Sequence, residues 1–420
     1  MLDFKSYYFR IIKSVLAMLI TLALIVCIGF YAVSGIMNLF PAQEPPIPTD
    51  NNIENTPEAK SNKVKIQLAG NVSLNDVLLS SNSDAYGKYN FDTEFASLKK
   101  ILDGDLKIFN LQGMLDAYGN NESISASPIF NYPKEIAVSA KNAGFNLCVA
   151  ANKKSAFLST AGIKNTATAL KSTGLSYVGI SLEGEENYIL REVNGIKIAV
   201  LAYTDEFSNQ SELEQERIST LDLSDVESSS EKVKADVEKV RGLGAEIVIA
   251  SLNWGEEIAA EPTQNQRKLA DRIVKSGVDI IMGTLSNVFQ PITYKNIVTD
   301  KSESKTVVIA YSLGNILAHP TVTTGQKSQE SAVINVFVER DKNGKAYISS
   351  AECRPVYIYA KQLTNGFEHY VLPCGEFDLS GERPEIFVND SDWTSCKNAY
   401  KNIEDIIKKS SANGMQLGIS

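Results

Sequence analysis

Apolar runs and amphipathic stretches alternate along the chain from residue 63 onward. Several runs have the length of buried strands and end in small or polar residues, which is typical of parallel strands inside a sheet. These runs are residues 64–70, 106–113, 145–151, 245–255, 278–283 and 305–315. The stretches 133–144, 228–244 and 262–277 between them have helical patterning. We expect serine to cap the second helix, Thr263 to cap the third, and glycine to end all three.

Two hairpins are also expected. Asn194-Gly195 separates the alternating runs 187–193 and 197–203, and this dipeptide supplies the positive φ angles of a type I′ turn. Residues 341–344 separate the runs 330–340 and 345–359 in a similar way. Residues 361–420 have weaker patterning, and there we expect loops followed by a helix near 393–409. Alternating strands and helices followed by further strands predict an α/β fold, a layered sandwich.

The N-terminus carries a candidate membrane span, because residues 14–37 contain no charged side chain and are long enough to cross a bilayer. Lys5, Arg10 and Lys13 precede this run, so the N-terminus is expected in the cytoplasm and the main domain outside the cell. A cleaved signal peptide is the alternative. The expected organisation is a cytoplasmic tail (1–13), a transmembrane helix (14–37), a proline-rich linker (38–62), the main domain (63–360) and a C-terminal extension (361–420).

Composition excludes several classes of protein. Hydrophobic residues are 44% and charged residues 22% of the chain, which is ordinary for a globular protein and excludes a wholly disordered one. Lys and Arg total 41 against 50 Asp and Glu, and this acidic balance disfavours nucleic-acid binding. There are five cysteines and two histidines. In an exported domain, Cys374 and Cys396 are the pair that we favour for a disulfide, although the sequence does not determine the pairing.

Polar residues follow most of the predicted strands, and in open α/β sheets the loops after the strands carry the chemistry. The candidate cleft residues are Asn71, Asn110, Gln112, Asn152, Lys153, Lys154, Asn253, Trp254, Thr284, Ser286, Asn287 and Asn315. No nucleophile elbow, phosphate-binding loop or zinc-protease motif is present, so serine hydrolases, NTPases and zincins find no support.

The sequences of these segments and their order along the chain resemble the CapA family. Its members are the poly-γ-glutamate and capsule synthesis proteins with a calcineurin-like metallophosphatase fold. NWGEEIAAEPTQNQRKLADRIVKSGVDIIMG (253–283) resembles the family's HWG segment, and NVFQPITYK (287–295) follows it. AYSLGNILA (310–318) resembles YSLGNF. LAGNVSLND (68–76), NLQG (110–113) and AANKKSAF (150–157) resemble the GD, NLE and ANNHALD motifs. The resemblance implies a layered α/β/β/α metallophosphatase-like sandwich over 63–360.

The family's metal-binding residue types are replaced at nearly every matched position. Asn71 stands for aspartate, Gln112 for glutamate, Lys153-Lys154 for an asparagine–histidine pair and Asn253 for histidine, while residues 283–287 contain no histidine. A dinuclear site needs anionic carboxylates and imidazoles, whereas amides bind metals weakly and ammonium groups repel them. We therefore expect no metal, no cofactor and no catalytic residue, and interpret the chain as a pseudoenzyme.

Alternatives remain open for the singled-out residues. The amides form either a polar binding pocket or a vestigial cleft, and Lys153 and Lys154 either bind an anionic polymer or form ordinary ion pairs. Trp254 either stacks on a ligand or packs its loop, and His319 is a lone loop histidine. An all-oxygen magnesium or calcium site is the remaining alternative, and its candidate ligands are Asp76, Asp116, Glu256, Glu257 and Glu261.

The expected function is a membrane-anchored, extracytoplasmic binding or scaffold protein of the cell envelope, linked by the resemblance to capsule or poly-γ-glutamate synthesis. Its expected partners are the membrane and an anionic envelope polymer or capsule synthesis proteins, without nucleic acid. The alternative is a metal-dependent hydrolase or capsule biosynthesis enzyme with relocated ligands. A structural envelope module without a ligand is a third hypothesis.

Overall fold

The structure is a computed structural model that describes residues 62–119, 124–154, 160–205, 217–411 and 417–420. The predicted tail and span, and the predicted linker up to residue 61, lie outside these ranges. Within the described part of the chain, no helix is both long enough and apolar enough to span a bilayer.

The strands of the described residues are numbered in chain order. They are Lys63–Val72 (β1), Leu106–Leu111 (β2), Met114–Leu115 (β3), Asn131–Tyr132 (β4), Leu147–Val149 (β5), Ser176–Val178 (β6), Tyr188–Val193 (β7), Ile196–Asp205 (β8), Thr220–Leu221 (β9), Ile247–Asn253 (β10), Ile280–Thr284 (β11), Ile292–Val298 (β12), Ser304–Ala310 (β13), Asn315–Leu317 (β14), Glu330–Arg340 (β15), Ala346–Leu363 (β16), Gly366–Pro373 (β17) and Gly418–Ile419 (β18).

The α-helices are numbered in the same way. They are Asp76–Ser81 (α1), Asp92–Phe95 (α2), Glu135–Ala143 (α3), Thr160–Thr173 (α4), Val226–Gly242 (α5), Gln264–Ser276 (α6) and Asp390–Ser411 (α7). The four helices predicted within the described residues (133–144, 228–244, 262–277 and 393–409) are present within a few residues of their expected bounds.

Two large sheets organise the described residues. The first sheet has the strand order β17-β16-β15-β1-β2-β5-β6, with β14 beside β1 and β18 beside β16. The second has the order β12-β13-β11-β10-β8-β7, with β9 beside β8. Strands β1, β2, β5 and β6 run parallel, as do β8, β10, β11 and β13. The carboxyl ends of each parallel set therefore lie at one edge of its sheet.

Apolar side chains fill three layers. Ile66 and Ile108 of the first sheet and Ile249 and Ile280 of the second belong to one buried cluster, which joins the sheets face to face. Helices α3 and α4 cover the outer face of the first sheet, and α5 and α6 cover that of the second. The expected α/β/β/α layering is thus confirmed. It follows from β-strands that are buried on both faces.

Helix ends show local sequence control. Thr263 caps α6 in a reciprocal capping box with Gln266, and Gly277 follows the helix with a φ of 131°, as predicted. The expected serine cap of α5 is wrong, because the side chain of Asp225 accepts the hydrogen bond from the Ser228 amide. Aspartate is as good an N-cap as serine, and it precedes the serine run by only a few residues.

The hairpin predictions are confirmed. β7 and β8 pair in antiparallel fashion around Asn194 and Gly195, whose φ angles are 49° and 83°. β15 and β16 form the second hairpin. Residues 361–420 contribute the end of β16, the whole of β17, α7 and β18. Helix α7 lies near its predicted position, whereas β17 was not anticipated.

Two glycines allow the close backbone approaches at the strand ends. A Cβ atom on Gly283, in β11, would lie 1.9 Å from the carbonyl oxygen of Tyr311. Gly314, just before β14, has a φ of 67°, and a Cβ there would lie 2.9 Å from the Glu330 carbonyl oxygen. These contacts bring the chain between β13 and β14 close to β11 and β15, and β14 then lies beside β1, with Asn315 opposite Asn71. The YSLGN segment therefore has a backbone role in shaping the cleft.

Candidate functional site

Four asparagines meet near the ends of β1 and β2 and the start of β14, and we call them the amide cluster: Asn71, Asn110, Asn287 and Asn315. Asn110 Nδ2 donates to Asn71 Oδ1 at 2.9 Å, and Asn71 Nδ2 lies 3.3 Å from Asn287 Oδ1 and 3.4 Å from Asn315 Oδ1. Asn315 Nδ2 donates to the carbonyl oxygen of Asn287 at 3.0 Å. The cluster joins distant parts of the chain through neutral hydrogen bonds.

A second group of polar residues lies at the ends of β8, β10 and β11. Asn253 Nδ2 donates to Thr284 Oγ1 at 3.1 Å, and Asn253 Oδ1 accepts from the backbone amide of Lys153 at 3.2 Å. Thr204 Oγ1 lies 3.3 Å from the same oxygen. Asn253 thus connects the second sheet to the loop that follows β5 in the first. All three side chains are buried.

Two lysine–carboxylate pairs cross between the sheets at the cleft. Lys153 Nζ lies 2.9 Å from Asp205 Oδ2, and Lys154 Nζ lies 3.0 Å from Glu257 Oε1. Both lysines follow β5 of the first sheet. Asp205 ends β8 and Glu257 follows β10, so both carboxylates belong to the second sheet. The formal charges of these four side chains sum to zero.

Three acceptor oxygens in this region are buried and lack a hydrogen-bond donor: Asn110 Oδ1, Gln112 Oε1 and Asp205 Oδ1. Burial raises the pKa of the Asp205 carboxyl, whereas Lys153 and the Gly255 amide oppose this shift. Gly255 donates its amide to Asp205 Oδ2 at 3.0 Å. The cleft therefore has unused acceptor capacity, which an N–H or O–H donor could satisfy.

The remaining candidates hold loops in place. Trp254 donates its indole N–H to the Tyr311 carbonyl oxygen at 2.9 Å and stacks on the Tyr311 ring, so it packs its loop. Ser286 Oγ donates to the Ala259 carbonyl oxygen at 2.7 Å. Asn152 Nδ2 donates to the backbone oxygens of Gly113 and Ala150. These contacts support local strand-end geometry.

Asp205 is a cleft residue that the sequence analysis did not identify. The run 197–203 was predicted as a strand, yet the residues after it were not included among the strand-end candidates. Applying the same rule there identifies Thr204 and Asp205 directly. Asp205 is the only buried carboxylate among the cleft residues that the structure describes, and it is the partner of Lys153.

The carboxylates considered as ligands of an all-oxygen magnesium or calcium site do not lie close together. Asp116 accepts from the Lys134 amide, Glu257 pairs with Lys154, and Glu261 pairs with Arg267. Asp76 lies in the first turn of α1. No three Asp, Glu, His or Cys side chains come together in a metal-binding arrangement within the described ranges.

The two histidines contact each other away from these pairs. His319 Nδ1 lies 2.9 Å from Nε2 of His369, which is fully buried. Burial lowers the pKa of His369 to about 3 and also lowers the pKa of His319, so both rings are neutral.

Cys374 and Cys396 are buried free thiols with their sulfur atoms 3.9 Å apart. The structure therefore brings together the two cysteines that the sequence analysis favoured.

The residues at the cleft do not fit a dinuclear metal centre. Amides and a threonine hydroxyl occupy the strand ends. The two carboxylates that could otherwise bind a cation form ion pairs with Lys153 and Lys154. Neutral amides offset no metal charge, and each ammonium would repel an ion placed beside its carboxylate. The donor chemistry favours a cleft that is closed by internal hydrogen bonds and ion pairs.

A cavity of about 680 Å³ lies at the opposite ends of the strands, against the C-terminal ends of α5 and α6. Its most buried charges are paired: Asp279 lies 2.5 Å from Arg241 and 3.0 Å from Lys305. Arg241 also donates to the Gly277 and Ala245 carbonyl oxygens. These cations compensate a carboxylate and helix C-termini, so their placement is explained without a ligand.

Comparison with known proteins gives consistent matches. The family model described as bacterial capsule synthesis protein PGA_cap matches residues 65–320. The capsule biosynthesis protein CapA of Bacillus anthracis is 30% identical over 218 residues, which cover 51% of this chain and 49% of that protein. The PGA biosynthesis protein CapA of Bacillus subtilis (strain 168) is 26% identical over 221 residues, covering 50% and 52%. The chain thus matches about half the length of each relative.

Among solved structures, a calcineurin-like phosphoesterase from Bacillus subtilis aligns with a TM-score of 0.37 and 11% identity. The alignment covers 82% of this chain and 99% of that chain.

Proposed function

The chain belongs to the PGA_cap family of bacterial capsule synthesis proteins, and from that premise we propose that it is a non-catalytic binding or scaffold member. Its role would be to hold an envelope polymer, or a protein that makes one, during capsule or poly-γ-glutamate synthesis. The polymer class comes from the names of the relatives.

One observation carries the non-catalytic part of this proposal. At the positions where the family resemblance implies metal ligands, the side chains are the amides Asn71, Gln112 and Asn253 and the ammonium groups of Lys153 and Lys154. The first three are buried, and both lysines are paired with carboxylates. Hydrolysis of a phosphoester by this fold requires a metal-activated water, and this set of side chains supplies neither the charge nor the ligands for it.

The chemistry of the cleft supports a ligand that carries both carboxylates and amide N–H groups. The unpartnered oxygens of Asn110, Gln112 and Asp205 are acceptors, whereas Lys153 and Lys154 supply cations. A γ-linked glutamate chain bears one carboxylate and one amide N–H per residue. Both kinds of group on such a chain are chemically complementary to these side chains, and an N–H group reaches the three oxygens only if the cleft opens, because all three are buried.

The N-terminal segment supports an anchored location. The uncharged run 14–37 follows Lys5, Arg10 and Lys13 and precedes a proline-rich acidic stretch. This asymmetry favours a single-pass anchor with the N-terminus in the cytoplasm and the main domain outside the cell. A spacer of this composition would hold the domain away from the membrane surface.

The test uses the full chain purified in detergent. Metal analysis after incubation with Mn²⁺, Fe²⁺ or Zn²⁺ should find far less than one ion per chain, and a generic phosphodiester should not be hydrolysed above the rate of buffer. Poly-γ-glutamate should bind in a fluorescence polarisation assay. Stoichiometric metal together with phosphodiester turnover would overturn the non-catalytic proposal, and failure to bind poly-γ-glutamate would overturn the polymer-binding one.

A further inference from the structure

The two lysines of the cleft differ in how accessible their ion pairs are. The side chain of Asp205 is 11% exposed, so the carboxylate that pairs with Lys153 is largely shielded from solvent. The side chain of Glu257 is 48% exposed, and that of Lys154 is 24% exposed. Since Lys153 and Lys154 are themselves 33% and 24% exposed, the difference lies in the carboxylates: Glu257 can leave its lysine for solvent more readily than Asp205 can.

The ammonium of Lys154 has a second contact that does not depend on Glu257. Lys154 Nζ lies 4.5 Å from the centroid of the Phe130 ring, within the range of a cation–π interaction. The ring contacts the ammonium without satisfying its hydrogen-bond donors, which remain available to a carboxylate. If Glu257 moves away, Phe130 still restrains the lysine in the cleft.

The loop that carries Glu257 is fixed by its backbone. Gly255 donates its amide to Asp205 Oδ2 at 3.0 Å, and Ile258 donates its amide to the Ser286 carbonyl oxygen at 2.7 Å. These bonds flank Glu257 on both sides, so its side chain can rotate into solvent without moving the loop. A partly exposed ion pair of this kind contributes only about 0.2–1 kcal/mol to stability. Replacing Glu257 by another carboxylate on Lys154 therefore costs little free energy.

We propose that Lys154 is the ligand-binding cation of the cleft, and that Glu257 occupies it as an internal competitor for a carboxylate-bearing ligand. This inference rests on the proposed polymer-binding function. Glu257 presents the same chemical group as a glutamyl carboxylate of the ligand. Binding is then an exchange of one carboxylate for another on Lys154, while the Lys153–Asp205 pair stays intact.

The test measures binding of a fluorescently labelled γ-linked glutamate decamer to the full chain in detergent. Glu257→Gln removes the competing charge, and affinity should rise about 2–5-fold, the factor that corresponds to an exposed ion pair. Lys154→Met should weaken binding about 10-fold or more, because a charge-assisted hydrogen bond is lost. Lys154→Arg should retain most of the affinity. Urea-unfolding midpoints would establish that each variant is folded.

The chain offers a matched control in Lys171. Its Nζ lies 2.5 Å from Glu185 Oε1 and 5.9 Å from the Tyr177 ring centroid, which reproduces the same contacts away from the cleft. Lys171→Met and Glu185→Gln should leave the affinity unchanged. An affinity of Glu257→Gln equal to or below that of the wild type would overturn the competitor role while leaving polymer binding intact. Absence of binding by the wild type would overturn the proposed function and this inference with it.

Discussion

Removing Lys153 should destabilise the protein, because it leaves a buried carboxylate without its counter-ion. Burial already raises the pKa of Asp205, and Lys153 is the largest influence that opposes this shift. In Lys153→Met the Gly255 amide would be the remaining donor to Asp205 Oδ2. Loss of one partner of a fully buried pair costs about 3–5 kcal/mol. Lys153 is 33% exposed, so we expect a smaller loss, about 1–3 kcal/mol of unfolding free energy at pH 7.

Removing Asp205 should have a different effect. Asp205→Asn abolishes the buried charge, keeps an acceptor for the Gly255 amide, and leaves Lys153 able to turn toward solvent. The pKa of Asp205 is raised in the folded state, so its contribution to stability is complete below the unfolded pKa and is lost as the pH rises through the folded value. Asp205→Asn should therefore be neutral or stabilising at pH 7. Its advantage should shrink as the pH falls through the raised pKa of Asp205 and should be absent below the unfolded value of 3.8.

Urea unfolding followed by tryptophan fluorescence measures both effects, since Trp254 and Trp393 are buried. The control is Lys239→Met, whose pair with Glu186 is exposed on both sides and should change stability by less than about 0.5 kcal/mol. The double variant of Lys153 and Asp205 should resemble Asp205→Asn alone. Equal destabilisation by the two single variants, or no effect of Lys153→Met at pH 7, would refute the reasoning.

Three further outcomes follow from buried groups. Burial raises the pKa of Glu94 to about 7, so the wild type should lose stability as the pH rises through 7. The urea midpoint should fall less between pH 6 and pH 8.5 for Glu94→Gln than for the wild type. An equal fall for both proteins would contradict this expectation. Cys374 and Cys396 should form a disulfide when the protein is refolded with oxidised glutathione. Mass spectrometry would detect the loss of two hydrogens, and Cys396→Ser should abolish it. Gly283→Ala should lower the stability by about 3 kcal/mol, the upper end for overpacking, because its Cβ would clash with the Tyr311 carbonyl oxygen. An unchanged melting temperature would argue against that clash.

Local sequence signals predicted most of the elements. The dipeptide Asn194-Gly195 predicted the hairpin of β7 and β8, because both residues readily adopt the positive φ angles of its turn. Thr263 caps α6 together with Gln266, and this residue predicted where the helix begins. Such signals act within a few residues and need no tertiary information. The serine cap failed for the same reason, since Asp225 competes for the same role a few residues earlier.

The partners within the cleft were less predictable. The sequence placed Asn71, Asn110 and Asn315 at strand ends, and they lie inside β1, β2 and β14, but the contact between Asn71 and Asn315 depends on β14 lying beside β1. Pairing of strands so distant in sequence is set by packing of the whole domain. Asp205 was within reach of the strand-end rule, whereas its pairing with Lys153 joins two sheets and has no local signal.

The two lysine–carboxylate pairs between the sheets have a consequence for how the domain matures. A bridge made by a metal ion must be loaded from the surroundings and can be removed by a chelator. Bridges between Lys153 and Asp205 and between Lys154 and Glu257 consist of atoms that arrive with the polypeptide itself. On the proposal that the cleft binds no metal, we therefore expect the domain to reach its final shape without transition metals, and EDTA should leave that shape intact.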